Sequence, residues 1–236
     1  MMKSTAILPA IKNSLDEFGP TQVPVTFSSP NLLELAQMYQ VAREDPLDLM
    51  AHPVWWSVID DFSLGAGFRM DLEQLARRDV SDHDVSKGTL SFLVDQGIAQ
   101  KAVNLLPFFQ HLVVKCGDLG ILVVMRISGL GLTTSGWAQE HSNPHKRYVV
   151  AHGKSQIVVL QHFPALAVET IVNVTGAGDS FVGTLLAHLV ERPHSFHSPK
   201  SLSDIIFTAQ HAACLTLQSH FAVSPLLSES QSKQNI

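Results

Sequence analysis

The run HLVVKCGDLGILVVMRI, His111 to Ile127, limits what this chain can fold into. Two short apolar segments with β-branched residues, His111 to Lys115 and Ile121 to Ile127, flank Gly117-Asp118-Leu119-Gly120. Branched side chains suit a pleated surface and lose freedom in a helix, so two strands joined by a turn are expected. Val23 to Ser28, VPVTFS, reads as another strand, and SQIVVLQHF and ALAVETIVNV as extended segments. Between them lie helical patterns. SSPNLLELAQMYQVAR has a polar cap, a proline near the first turn, and Leu32, Leu35, Ala36 and Tyr39 at helical spacing. Residues 71–79, 84–109, 178–191 and 202–218 read mostly as helices, and 5–12 as a frayed helix or strand remnant. Residues 45–70, with Pro46, Pro53, Gly65 and Gly67, read as an elaborated loop or short helices. Residues 128–147 read as an exposed loop rich in Gly, Ser, Thr and Asn, and the last dozen residues as a disordered tail. Strands alternating with helices predict an α/β fold.

With 236 residues, 45% of them hydrophobic, the chain can bury a sizeable core in one large domain or one and a half small ones. A net charge of -5 without a Lys/Arg run argues against a basic nucleic-acid-binding face. No apolar run approaches the roughly 20 residues of a membrane helix, and MMKSTAILPAIKN has too short a run for a signal peptide. Cys116 and Cys214 make no disulfide framework and fit a reducing, cytoplasmic compartment. The formal glycosylation sequon Asn173-Val174-Thr175 is discounted without a secretion signal. The twelve histidines form no recognisable ligand set: Pro144 separates His141 from His145, and both read as loop residues. Trp55 and Trp56 read as hydrophobic anchors, with a lid or a partner surface as the alternative.

The chemistry is concentrated in NVTGAGDSFVGTLLAHLV, Asn173 to Val190. Gly176 and Gly178 allow backbone angles that residues with a Cβ resist, so the N–H groups of the loop can converge. Phe181, Val182, Leu185, Leu186 and Leu189 fall on one face of a helix that starts there. Helix-start N–H groups lack intrahelical partners and carry partial positive charge, an arrangement suited to phosphate. Asp179 beside such a site would repel the phosphate rather than bind it. Its useful role is that of a base for an attacking hydroxyl, and its plain alternative is a helix cap. The GxxxxGK[ST] pattern of a P-loop is absent.

The string NVTGAGDSFVGTLL resembles the DTxGAGDxFxG signature of the ribokinase-like (PfkB) carbohydrate and nucleoside kinases, with Thr175, Gly176, Ala177, Gly178, Asp179, Phe181 and Gly183 matching. The resemblance covers roughly residues 18–225. It implies a partial three-layer α/β/α sandwich, here an incomplete kinase domain over 1–225, its nucleotide-binding side, followed by a tail, 226–236. It also implies that the amides of Gly176, Ala177 and Gly178 bind the transferring phosphoryl group, that Asp179 is the catalytic base, and that ATP and Mg2+ take part. Asn31-Leu32-Leu33-Glu34 fits the family's NxxE element, which organises magnesium through water, and is equally a capping box. The Gly117 to Gly120 segment resembles the strand–GxxG–strand element near the nucleotide, and is equally a hairpin turn. AQHAACLTL resembles the helix lining the adenine pocket, with Ala209 and Ala213 leaving room for the base, or packing against a neighbouring helix. Asn173 stands where the family usually has an Asp that helps hold a monovalent cation, which puts K+ activation in doubt.

Within the family, AACLTLQS, VSP and VVKCGDLGILVVMR look most like pseudouridine kinases, including the kinase half of fungal bifunctional pseudouridine-degrading proteins. The family's first βαβ units, its small β lid and its Gly-rich sugar motif have no counterpart in these residues. The expectation is therefore an ATP-dependent kinase acting on a hydroxymethyl group of a sugar or nucleoside, weak or inactive by itself and prone to associate through an exposed sheet edge. The alternative is a non-catalytic nucleotide-binding or interaction module.

Overall fold

The computed structural model describes residues 6–18 and 25–227. Val23, Pro24 and the tail from 228 onward lie outside them. Packing divides the chain into two compact units, Met1–Pro164 and Ala165–Ile236.

The first unit is a mixed five-stranded sheet with helices. Its strands are β1 (Val25–Ser28), β2 (Phe109–Lys115), β3 (Ile121–Ser128), β4 (Tyr148–His152) and β5 (Gln156–Phe163), in the order β1-β2-β3-β5-β4. Only β1 and β2 run parallel; the other neighbours are antiparallel. A parallel pair needs a long crossover, and residues 29–108 supply it. This stretch contains α2 (Leu32–Arg43), α3 (Pro53–Asp61), α4 (Ala66–Ala76), α5 (Phe92–Asp95) and α6 (Ile98–Leu105), and α1 (Ile7–Phe18) precedes β1.

Side chains alternate between the faces of a strand, and the register follows that rule. Leu112 pairs with Val124, Val114 with Leu122, and Val124 with Leu160. These residues join Leu35, Met38, Leu75, Ala102 and Leu105 of the helices in one buried cluster. Each large aliphatic side chain buried there contributes about 1.5–3 kcal/mol. The opposite face, with Val113, Val123, Met125 and Val159, is also fully buried. Two-sided burial is why β2, β3 and β5 read as continuous apolar runs. Trp55 is anchored as expected: it is buried, and its indole N–H donates to the Asn104 carbonyl at 2.8 Å. Trp56 departs from that expectation: it packs edge-on with the Trp55 ring but is 55% exposed.

Several expectations are corrected. Residues 84–109 are only partly helical: 78–91 is a loop in which Val80 N–H donates to Gly88 O and Leu90 N–H to Arg78 O. That loop is clamped from a distance, because the buried Arg147 donates to Asp79 O and to the Asp82 carboxylate, both at 2.6 Å. Residues 128–147 are not simply an exposed loop. They hold α7 (Gly131–Thr134) and a 3₁₀ turn, Gly136–Gln139, capped by Ser135. Trp137 there is fully buried and meets the Tyr148 ring edge-on, 5.5 Å between centroids. Strand β4 is an unexpected element, kept in place by its ladder to β5 and by Ser142, which bonds both N–H and C=O of Val150.

The second unit contains α8 (Ala177–Glu191) and α9 (Pro199–Leu217), which pack together. Residues 165–175 form no strand. Val172 and Asn173 instead donate their N–H groups to Leu217 O at the end of α9, at 2.8 and 3.1 Å. The buried stripe of α8 is narrower than its apolar pattern: Phe181 and Leu185 are buried, whereas Leu186 is 44% exposed.

Candidate functional site

In the second unit, Gly176 is the N-cap of α8, with φ +81° and ψ −8°. Left-handed angles already favour glycine. A second constraint is steric, since a Cβ at Gly176 would lie 1.7 Å from the Ala222 carbonyl oxygen. The first helical hydrogen bond runs from Ser180 N–H to Gly176 O, 2.8 Å. The N–H groups of Ala177, Gly178 and Asp179 therefore occupy the first turn, where no intrahelical acceptor exists and the helix dipole is positive. No side-chain cap bond closes this end. Asp179 is the third helical residue and exposed, so the N-cap role that it could have taken falls to Gly176.

Hydroxyl groups fasten the loop. Ser180 Oγ and the fully buried Thr216 Oγ1 are 2.8 Å apart, linking the first turn of α8 to the last of α9. Ser224 N–H also donates to Thr216 Oγ1, at 3.4 Å, and this draws in the segment that carries Ala222. The Asn173 side-chain oxygen accepts from Thr175 N–H at 2.9 Å, a local turn that leads into Gly176. Ala209 is fully buried and Ala213 partly exposed, so only Ala213 presents surface.

In the first unit, the parallel pairing of β1 with β2 gathers the other expected residues at the carboxyl ends of these strands. Asn31 pairs with Lys115 in an isolated parallel bridge, and Lys115 N–H donates to Pro30 O at 2.9 Å. Lys115 Nζ reaches back to the Ser29 carbonyl, and Ser29 Oγ donates to Val113 O at 3.0 Å. The capping box is complete: Asn31 N–H donates to Glu34 Oε2, and Glu34 N–H to Asn31 Oδ1, both at 2.8 Å. It brings the amide and the carboxylate together at the start of α2, where Asn31 pairs with Lys115, two residues before Gly117 in the chain.

That turn is a 3₁₀ helix, Gly117–Leu119, closing the β2–β3 hairpin, with φ of +65° at Gly117 and +97° at Gly120. Each of its carbonyls has a donor. Cys116 O accepts from Leu119 N–H, Gly117 O from Gly120 N–H, and Gly120 O from Cys116 N–H. The other two donors come from afar: Lys87 Nζ reaches Asp118 O at 3.0 Å, and His162 Nε2 lies 2.7 Å from Leu119 O. Burial pushes the His162 imidazole down to about 4, so it is neutral at physiological pH. Burial likewise pushes the Cys116 thiol beside the turn up to about 12, which leaves it an inert packing group. Lys87, Lys115 and His162 escape a motif reading. The only sequence signal for His162 is a polar residue inside an apolar strand.

Residues 133–229 match the model of the pfkB family carbohydrate kinases. A pseudouridine-metabolizing bifunctional protein of Schizosaccharomyces pombe is 28% identical over 202 residues, which cover 85% of this chain and 23% of that protein. Among solved structures, a ribokinase from Thermotoga maritima aligns over 89% of this chain and 42% of its own, with 17% identity and a TM-score of 0.40. A ribokinase from Giardia lamblia aligns over 60% of this chain and 38% of its own, with 13% identity and a TM-score of 0.36. The chain thus spans about a quarter of the curated relative's length. The chain resembles the PfkB kinases, which use ATP as co-substrate, generally with Mg2+. Among the described residues no helix is long and apolar enough to cross a membrane.

Proposed function

We propose that this chain takes part in ATP-dependent phosphoryl transfer to a hydroxymethyl group of a sugar or nucleoside, with pseudouridine as the acceptor. The observation that carries this reading is the α8 entrance. There a glycine that cannot be replaced without moving Ala222 leads three N–H groups and an exposed carboxylate into one turn. The amides of Gly176, Ala177 and Gly178, with the Asp179 N–H beside them in the same turn, hold the transferring phosphoryl group as it becomes negatively charged. Asp179 takes the proton of the attacking hydroxyl. Phosphoryl transfer depends mainly on positioning and charge stabilisation, which fits a site built from backbone amides and one base.

Asn31 and Glu34 suit an indirect role toward Mg2+, because each side-chain oxygen is held by the other residue's backbone N–H, which fixes the amide oxygen and the carboxylate at the start of α2, where they can order water. When bound, the ion would neutralise phosphate charge. Gly117, Gly120 and Ala213 fit the nucleotide side, with Ala209 as buried packing behind Ala213. For K+, Asn173 has one lone pair already committed to Thr175 N–H and carries no charge, so any activation by K+ is weak. Residues 1–225 are read as an incomplete kinase domain, its nucleotide-binding side, resident in the cytoplasm. The edge strand β1 gives it a place to associate. The second reading is nucleotide binding without turnover.

The test is Asp179→Asn in single-turnover assays with ATP and pseudouridine. The turnover rate should fall by about two to four orders of magnitude, as for a general base, with ATP affinity nearly unchanged. Near-normal turnover in the variant would remove Asp179 as the base. ATP binding with no ADP release from the wild type over a nucleoside panel would favour the second reading.

A further inference from the structure

We infer that His162 is a positioning residue that sets the Gly117–Gly120 turn for nucleotide binding, an inference that rests on reading this turn as part of the nucleotide site. His162 lies near the end of β5, opposite Leu122 of β3, on the face where Leu122 and Leu160 feed the apolar core. It is 1% exposed. Its Nε2 is 2.7 Å from Leu119 O, and a carbonyl only accepts, so Nε2 carries the proton. The second ring nitrogen, Nδ1, is then an acceptor, and it is buried without a hydrogen-bond partner. An unsatisfied buried acceptor costs free energy that a leucine of similar size would not incur. A core position that keeps an imidazole at that cost is explained by what the other nitrogen holds.

What it holds is the last carbonyl of the 3₁₀ turn. Lys87 takes the carbonyl before it, and the remaining three are bonded within the segment 116–120. With all five carbonyls engaged, the turn cannot rotate its peptide planes without breaking a bond. The N–H groups of Gly117 and Asp118, at the start of the turn, have no acceptor inside it. Fixing the carbonyls therefore fixes the direction of the N–H groups. Lys87 sits on an exposed loop and can be lost and regained, whereas the imidazole is built into the sheet. Arg147, whose carbonyl accepts from His162 N–H at 2.9 Å, connects this position to the clamp on Asp79 and Asp82.

The experiment compares the full wild-type chain with His162→Leu, which removes the donor, and His162→Gln, whose amide nitrogen can restore it. Hydrogen exchange is read at Leu119 and Gly120, and Mg–ATP affinity by calorimetry. His162→Leu should speed exchange about tenfold and weaken Mg–ATP binding about fivefold or more, and His162→Gln should bring both back to within about threefold of wild type. Wild-type exchange and affinity in His162→Leu would overturn the inference, as would a glutamine variant as impaired as the leucine one. If the wild type binds no ATP, the kinase reading fails, while the exchange data still decide whether His162 holds the turn. Should His162→Leu not fold, nitrogen-15 spectra of the wild-type imidazole decide. The Nε2–H tautomer with a slowly exchanging proton supports the inference, and the Nδ1–H tautomer overturns it.

Discussion

Gly176 and Gly117 both hold positive φ, +81° and +65°, at the mouth of a helical turn, yet their surroundings differ. A Cβ at Gly176 would lie 1.7 Å from the Ala222 carbonyl oxygen, whereas one at Gly117 would meet nothing within 4 Å. The first turn is fixed by backbone lying against backbone. The second is fixed by donors brought to its carbonyls, two of them from residues 87 and 162. The first therefore tolerates no side chain, and the second tolerates change at its glycine better than change at its supports.

Substitution at the two glycines breaks this comparison most directly. Gly176→Ala should cost about 3–4 kcal/mol of unfolding free energy, from left-handed strain plus displacement of the 219–224 segment. Chemical denaturation measures it, and a loss below about 1 kcal/mol would mean that the Ala222 approach is readily relieved. Next in size is a pH effect at the second turn. The His162 imidazole is lowered from 6.5 to about 4, so between these values the unfolded chain binds the extra proton and the folded one does not. Stability should be fully present above pH 6.5 and fall as the pH drops toward 4, by on the order of 3 kcal/mol. The nearby Arg147 and Asp82 charges act in opposite directions on this group, and burial outweighs both. The slope should vanish in His162→Gln, and an unchanged slope would assign the effect to other groups. The smallest effect is expected for Gly117→Ala, about 1 kcal/mol, because only its backbone angle is at stake. A loss as large as that at Gly176 would erase the distinction.

The contrast also explains what could be read in advance. GAGD is legible because its requirements are local: a glycine before a helix, small residues beside it, an acid in the first turn. The α8 and α9 helices and the β2–β3 hairpin are legible for the same reason, since one periodicity or one glycine turn defines each. ALAVETIVNV, Ala165 to Val174, reads as an extended segment, but its place is not legible: it joins no ladder, and Val172 and Asn173 bond to the end of α9, a partner over forty residues away. Strand β4 was hidden because YVVAH is short and its pairing partner lies on β5. Trp137 was hidden inside a polar stretch although it is fully buried. His162 and Lys87 belong to the same class. Their roles come from strand register and loop path, and neither leaves a local pattern.

The central claim is that the α8 entrance binds the phosphoryl groups of ATP through its amides while Asp179 acts as a base rather than a ligand. Calorimetric titration of Mg–ATP into the full chain tests it with three proteins: wild type, Asp179→Asn and Gly178→Val. The wild type should bind. Asp179→Asn should bind within about threefold of it, because the amides remain, and Gly178→Val should bind at least about tenfold more weakly, because a branched side chain crowds the approach to them. Equal affinity in all three proteins would contradict the account.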